Sequence, residues 1–417
     1  MKLGKYSFGI GDRFAHQGKA QLSAIMLAKE QGINIAPVWN KSFREHDIVG
    51  SKPADVRAEA DSAVKALNWR DAYFVDADHI GMKNVDFFLE SSDFFTIDVA
   101  DFIGKPADEK KVSLFIEQHK KYIGDLLVPG IQDKIEISKS KIEAIARKYL
   151  FAIEEAGKIY AHIFTKKGSQ PFVVEVSMDE TNEPQTPIEL FFILAGLAQK
   201  EIPLSTLAPK FSGRFNKGVD YVGDVSQFQT EFEQDIAVIK FAKKEFKLPQ
   251  DVKLSVHSGS DKFSIYPSIG LALKKFNAGV HIKTAGTTWL EEIIGLAEAG
   301  DKGLEIAKDI YRNAYHRFEE LSKPYATVID IDPKRLPTPD QVYQWDGATY
   351  AGTLRHDKTN PIYNPNFRQL LHVGYKVAAE MKDRYLDALK QFEDVIAINV
   401  TQNIFDRHIK PIFLTEK

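Results

Sequence analysis

Cysteine is absent from the 417-residue chain. Disulfides, iron–sulfur clusters, zinc–thiolate sites and a cysteine nucleophile are therefore excluded. Neither charge sign is in excess: 55 Lys+Arg against 58 Asp+Glu leaves a net −3. With no basic surplus to hold a phosphate backbone, a nucleic-acid partner is not expected. No stretch approaches the roughly 18 uninterrupted apolar residues that span a bilayer. The first residues, Met1 to Tyr6, lack the apolar run of a signal peptide. A cytoplasmic protein without a membrane partner is the expectation. What remains is ordinary globular material, 44% hydrophobic and 27% charged. Its length suits two or three average domains, or one α/β barrel with additions.

Short β-branched or aromatic runs alternate with longer segments of helical period, the pattern of parallel βαβ units. The spacing predicts strands at Tyr6–Asp12, Ile33–Trp39, Asp71–Asp78, Phe94–Ala100, Pro171–Met178, Leu204–Phe211, Val252–His257 and Gly279–Lys283. Helices are predicted between them, including a long one at Ser140–Lys166 with apolar residues three and four apart. Eight strand–helix units close a (β/α)8, or TIM, barrel, expected over residues 1–300. Residues 104–137 interrupt the alternation and are expected to be an insertion after strand four. Residues 301–417 are expected to form a mainly helical C-terminal extension on the barrel, with a Pro-rich loop around Leu336–Pro365.

In such barrels the chemistry lies where strands run into their following loops. Those positions hold Gly9-Ile-Gly-Asp-Arg13, Asp76-Ala-Asp-His79, Glu175-Val-Ser-Met-Asp-Glu180, Lys210, Ser255-Val-His-Ser-Gly-Ser-Asp-Lys262 and His281-Ile-Lys283. Side chains alternate along a strand, so Glu175, Ser177 and Asp179 share one face. A carboxylate inside a barrel is costly unless paired or bound to a metal. A lone strand histidine is usually structural. Three at three strand ends, His79, His257 and His281, with Glu175 on another strand, point instead to one cavity around a cation. Histidine with carboxylate suits zinc, manganese, iron, cobalt or nickel. Lys210, Lys262 and Lys283 read as an electropositive mouth for a carboxylate or phosphate, or as solvated lysines. Asp12, Arg13 and Asp261 are further candidate substrate contacts, with an Asp12–Arg13 ion pair at the rim as the alternative. Gly9-Ile-Gly11 lacks the third glycine of a dinucleotide fingerprint.

These segments, together with Lys217-Gly-Val-Asp-Tyr221, Tyr266-Pro267 and Arg368-Gln-Leu-Leu-His-Val373, resemble the tagaturonate epimerase family. Its members interconvert tagaturonate and fructuronate, and some relatives epimerise neutral ketohexoses. The resemblance runs in order over nearly the whole chain. It implies a divalent metal held by His79, His257 and His281, proton exchange by Asp78 and Glu175, and a sugar acid or ketose as partner. The epimers differ at C4, whose hydrogen the ketone does not acidify, so retro-aldol cleavage and re-addition is the expected route. A metal-dependent aldose–ketose isomerase and a non-catalytic carbohydrate-binding barrel are the alternatives.

Overall fold

The computed structural model describes residues 2–284 and 286–414. Met1, Ala285 inside the strand-eight motif, and the last three residues lie outside that range. Eight parallel strands close into a barrel. They are β1 Tyr6–Gly11, β2 Ile35–Ser42, β3 Phe74–Ile80, β4 Phe94–Asp98, β5 Val173–Ser177, β6 Leu204–Ala208, β7 Lys253–His257 and β8 Val280–Lys283. Each overlaps a predicted strand. The differences are at the ends: β2 runs three residues beyond Trp39, so Asn40 belongs to the barrel. Among the described residues no helix is long and apolar enough to cross a membrane.

Local signals explain the helices between strands. The helix Pro187–Gln199 opens with Thr186 and Glu189 capping each other and with proline in the first turn. The long helix Lys139–Lys167 buries Ile142, Ile145, Tyr149, Ile153, Ala156 and Ile163 along one stripe. Residues 104–137 hold a helix, Glu109–His119, and a two-stranded hairpin, Gly124–Leu126 with Ile135–Ile137. The Pro-rich stretch after Leu336 is less irregular than expected. It folds as two short helices, Pro339–Tyr343 and Gly347–Leu354, capped by Thr338 and Asp346.

The barrel interior is layered. Leu3, Val38, Phe74, Phe94 and Val173 form an apolar floor. Above it, polar residues point inward, and their register sets their depth. His281 pairs with Ser7 and Ser255, whereas Lys283, two residues on, pairs with Gly9 and His257 at the upper layer. A side chain at Gly9 would come within 2.7 Å of the Lys283 stem, so glycine is what lets Lys283 cross the interior. Helices of the C-terminal region close over the β8 side, Glu393–Gln402 packing on Thr287–Glu298.

Candidate active site at the barrel mouth

Alternation alone would send only one of Asp78 and His79 inward. The register between β3 and β4 shifts between Ala77 and Ile80, and His79 takes a left-handed backbone, φ 51°. Such a bulge re-aims a side chain, and both residues reach the mouth. His79 and His257 meet there with ring centroids 5.1 Å apart. With Asp179, two residues past β5, each offers a ligand atom within 4.8 Å of the others.

The far nitrogen of each imidazole is held by a carboxylate. His79 Nδ1 lies 3.2 Å from Asp98 Oδ2, and His257 Nε2 lies 2.8 Å from Glu175 Oε1. That leaves His79 Nε2, 3.8 Å from Asp78 Oδ1, and His257 Nδ1, 3.1 Å from Asp179 Oδ1, on the mouth side of the rings. Histidines oriented from behind by carboxylates are how proteins hold a transition metal. Three such donors leave coordination positions open to a substrate oxygen, so the set fits a divalent cation.

Lys283 sits beside this cluster, 4% exposed, with Nζ 2.6 Å from Asp78, 2.8 Å from Asp76 and 3.3 Å from Glu175. Burial disfavours the ammonium, but the three carboxylates outweigh it and hold Lys283 well above its usual range. In return, Lys283 keeps Asp78 and Glu175 below the ordinary carboxylate range despite their burial. Asp76 answers differently. Burial dominates, Asp78 and Glu175 add to it, and its carboxyl rises to about 7. Burial likewise works against the His257 cation, yet Asp179 and Glu175 push its pKa up to about 9.

Several sequence expectations are corrected by this geometry. His281 does not join the other two histidines. It lies a layer deeper, fully buried, with Nδ1 2.9 Å from Ser7 Oγ, and burial drops it to about 3. Sharing a face says nothing of depth along the strand, and Asp179 takes the third place. Glu175 is brought to the cluster, but it is 0% exposed. Its oxygens accept from Thr96, Thr206, His257 and Lys283. Lys283 is a buried ion-pair centre, not a mouth cation. Lys262 is also fully buried, with Nζ donating to the carbonyls of Asn216, Val219 and Asp261. Asp261 is consumed by Arg368, His356, Thr287 and His408. Asp12 spends both oxygens on the backbone N–H groups of residues 14–17, ahead of the helix Gly18–Glu30. It makes no ion pair with Arg13, which pairs with Glu45 at 3.2 Å. Lys210 stays half-buried, and its backbone N–H donates to Gln185.

Two residues escaped the sequence reading. Asp179 shares the face of Glu175 by period two, yet it sits beyond the strand and drew no role. Asn40 is buried in the upper layer with both amide atoms unpartnered, and it followed the residue at which the strand was expected to end.

A (β/α)8 barrel with its titratable side chains gathered at the C-terminal ends of the strands is an enzyme architecture. The tagaturonate epimerase family model matches residues 1–412. The chain is 30% identical over 418 aligned residues to the tagaturonate/fructuronate epimerase of Thermotoga maritima, covering 97% of this chain and 80% of that protein. The chain belongs to the tagaturonate epimerase family and is an epimerase, of the isomerase class. Crystal structures of the fructuronate–tagaturonate epimerase of Cohnella laeviribosi share the fold. A one-glycerol complex superposes with TM-score 0.81 at 23% identity, and a two-glycerol complex with 0.81 at 24%. Each match covers 99% of this chain and 82% of the other.

Proposed function

We propose that the chain is a divalent-metal-dependent epimerase that inverts the C4 hydroxyl of a ketohexuronate such as tagaturonate or fructuronate. The observation that supports this most is the convergence of His79, Asp179 and His257 beside Asp78 at the mouth. These three residues would hold the cation, which when bound supplies Lewis acidity toward the ketol oxygens. Zinc, manganese, nickel, cobalt and iron all accept such donors.

The protein's own groups handle the protons. Asp78, 5% exposed and kept ionised by Lys283, takes the proton of the C4 hydroxyl. The C3–C4 bond breaks, its electron pair passing to the ketol fragment as an enediolate, and C4 becomes an aldehyde. The aldehyde turns, C3 adds to its other face, and the proton returns to the C4 oxygen. Atoms balance, and no hydrogen leaves carbon at C4. Asp76 shares Lys283 with Asp78 and titrates near neutrality, so the network can hold one further proton. Glu175 acts through His257, fixing which ring nitrogen faces Asp179.

The test is product analysis with metal-free protein reloaded with each candidate cation. The expected result is metal-restored interconversion of tagaturonate and fructuronate, with deuterium placed at C4 retained. Loss of that label to solvent overturns the retro-aldol route. An aldose product indicates an isomerase, and metal-independent turnover removes the cation from the scheme.

A further inference from the structure

The mouth has a second side, away from His79 and Asp179. Arg13 follows β1, Lys217 lies in the loop after β6, and His372 is supplied by the helix Pro365–Val373. The Arg13 guanidinium is stacked 4.2 Å over Tyr375 and held through Nε by Glu45, yet its buried Nη1 has no partner. His372 is 1% exposed, with Nε2 3.5 Å from Arg13 Nη2. Arginine only donates, so that nitrogen accepts and the ring proton belongs on Nδ1. Nδ1 is buried and also unpartnered. Burial, together with Arg13, Lys217, Arg368 and Lys262, holds His372 well below its usual range, so the ring is neutral.

Lys217 completes the set. Among the described residues nothing accepts a hydrogen bond from its Nζ. Arg44 and Arg13 oppose its charge, while Glu45 and Glu180 favour it. Glu180 adjoins Asp179, which places Lys217 within electrostatic reach of the proposed cation site. The His372 ring is seated directly against Gly286, where a side chain would collide with it at 2.0 Å. Buried donors are almost always satisfied. Arg13 Nη1 and His372 Nδ1 are buried donors without an acceptor, and the part-exposed Lys217 ammonium in their electrostatic neighbourhood completes a set that calls for an anion with two oxygens.

We propose that Arg13, Lys217 and His372 cradle the substrate's carboxylate and so select a ketohexuronate over a neutral ketohexose. This rests on the epimerase reading above. With the ketol end at Asp179 and the C6 carboxylate at Arg13, C4 falls between, where Asp78 can reach it.

The experiment compares tagaturonate with tagatose on metal-loaded wild type, Lys217→Gln and Lys217→Arg. Wild type favours tagaturonate. In K217Q the tagaturonate-to-tagatose ratio of kcat/KM falls at least tenfold, chiefly through KM for tagaturonate, and K217R restores most of it. No wild-type preference, or equal losses on both sugars, overturns the cradle. Arg13→Lys, which keeps the charge but loses the planar fork, serves as a second variant and is expected to lower the same ratio. If wild type epimerises neither sugar, the epimerase reading fails, and a thermal shift then reads the cradle separately. Stabilisation of wild type but not K217Q by galacturonate, with galactose inert, supports it. Equal shifts overturn it.

Discussion

Two buried charge clusters of opposite sense stand some way apart in this barrel. At the mouth, one ammonium, Lys283, is shared by three carboxylates. At the junction with the C-terminal helices, one carboxylate, Asp261, is shared by Arg368, Thr287 and two histidines. Both are almost without solvent exposure. The junction is closed: Asp261 meets a fixed cation and neutral rings, and Arg368 spends its remaining donors on the carbonyls of Gly218 and Leu354. The mouth is less settled: three carboxylates share one ammonium, one of them rises to about 7, and both amide atoms of the buried Asn40 have no partner. A charge hub that saturates its partners fastens structure. One left with uncommitted donors and lone pairs is prepared for a ligand.

Substitutions can break that contrast. The largest effect is expected from Asp78→Asn: turnover of metal-loaded protein falls about 10³-fold, with metal content and fold retained because Asp76 and Glu175 still hold Lys283. Steady-state kinetics beside elemental analysis reads this. Asp261→Asn should act in reverse, costing about 3–5 kcal/mol of stability, seen in the urea midpoint, because it strands Arg368 in the interior. If D261N unfolds no more easily than D78N, the distinction between the clusters is lost. Glu175→Gln is expected to weaken metal binding about 10–100-fold in a titration with a competing chelator. Unchanged affinity with lost turnover would make Glu175 itself the proton carrier.

The smallest effect concerns pH. His281 falls to about 3 in the fold, against an ordinary value of 6.5. Between those values the unfolded chain binds the extra proton, so stability present above pH 6.5 is lost on acidification. By pH 5 this amounts to about 2 kcal/mol. In His281→Asn the wild-type minus variant difference in unfolding free energy should shrink by that amount between pH 7 and 5.

The barrel was legible because eight β-branched or aromatic runs, such as Val173 to Ser177, alternate with helical stripes. That pattern follows from burial alone. The neighbourhood of the candidate site was legible too, since Asp78, His79 and His257 lie at or near strand ends and Glu175 points inward from the strand that leads to Asp179. Roles within it were not. The bulge that turns His79 inward depends on how β3 meets β4. The depth of His281 depends on its pairing with Ser7, 274 residues away in sequence. Asp261 looked like a ligand contact because its partners, Arg368, His356 and His408, are about 95–150 residues further along. Local sequence signals orientation, while depth and pairing are settled by distant chain.

The remoteness of those partners has a consequence for synthesis. A ribosome delivers all eight strands more than seventy residues before Arg368 and His372. Until then Asp261 lacks its arginine and both histidines, and the far rim of the mouth lacks the His372 imidazole. The charge at Asp261 is therefore balanced in full only once the C-terminal helices have been made and have packed on the barrel.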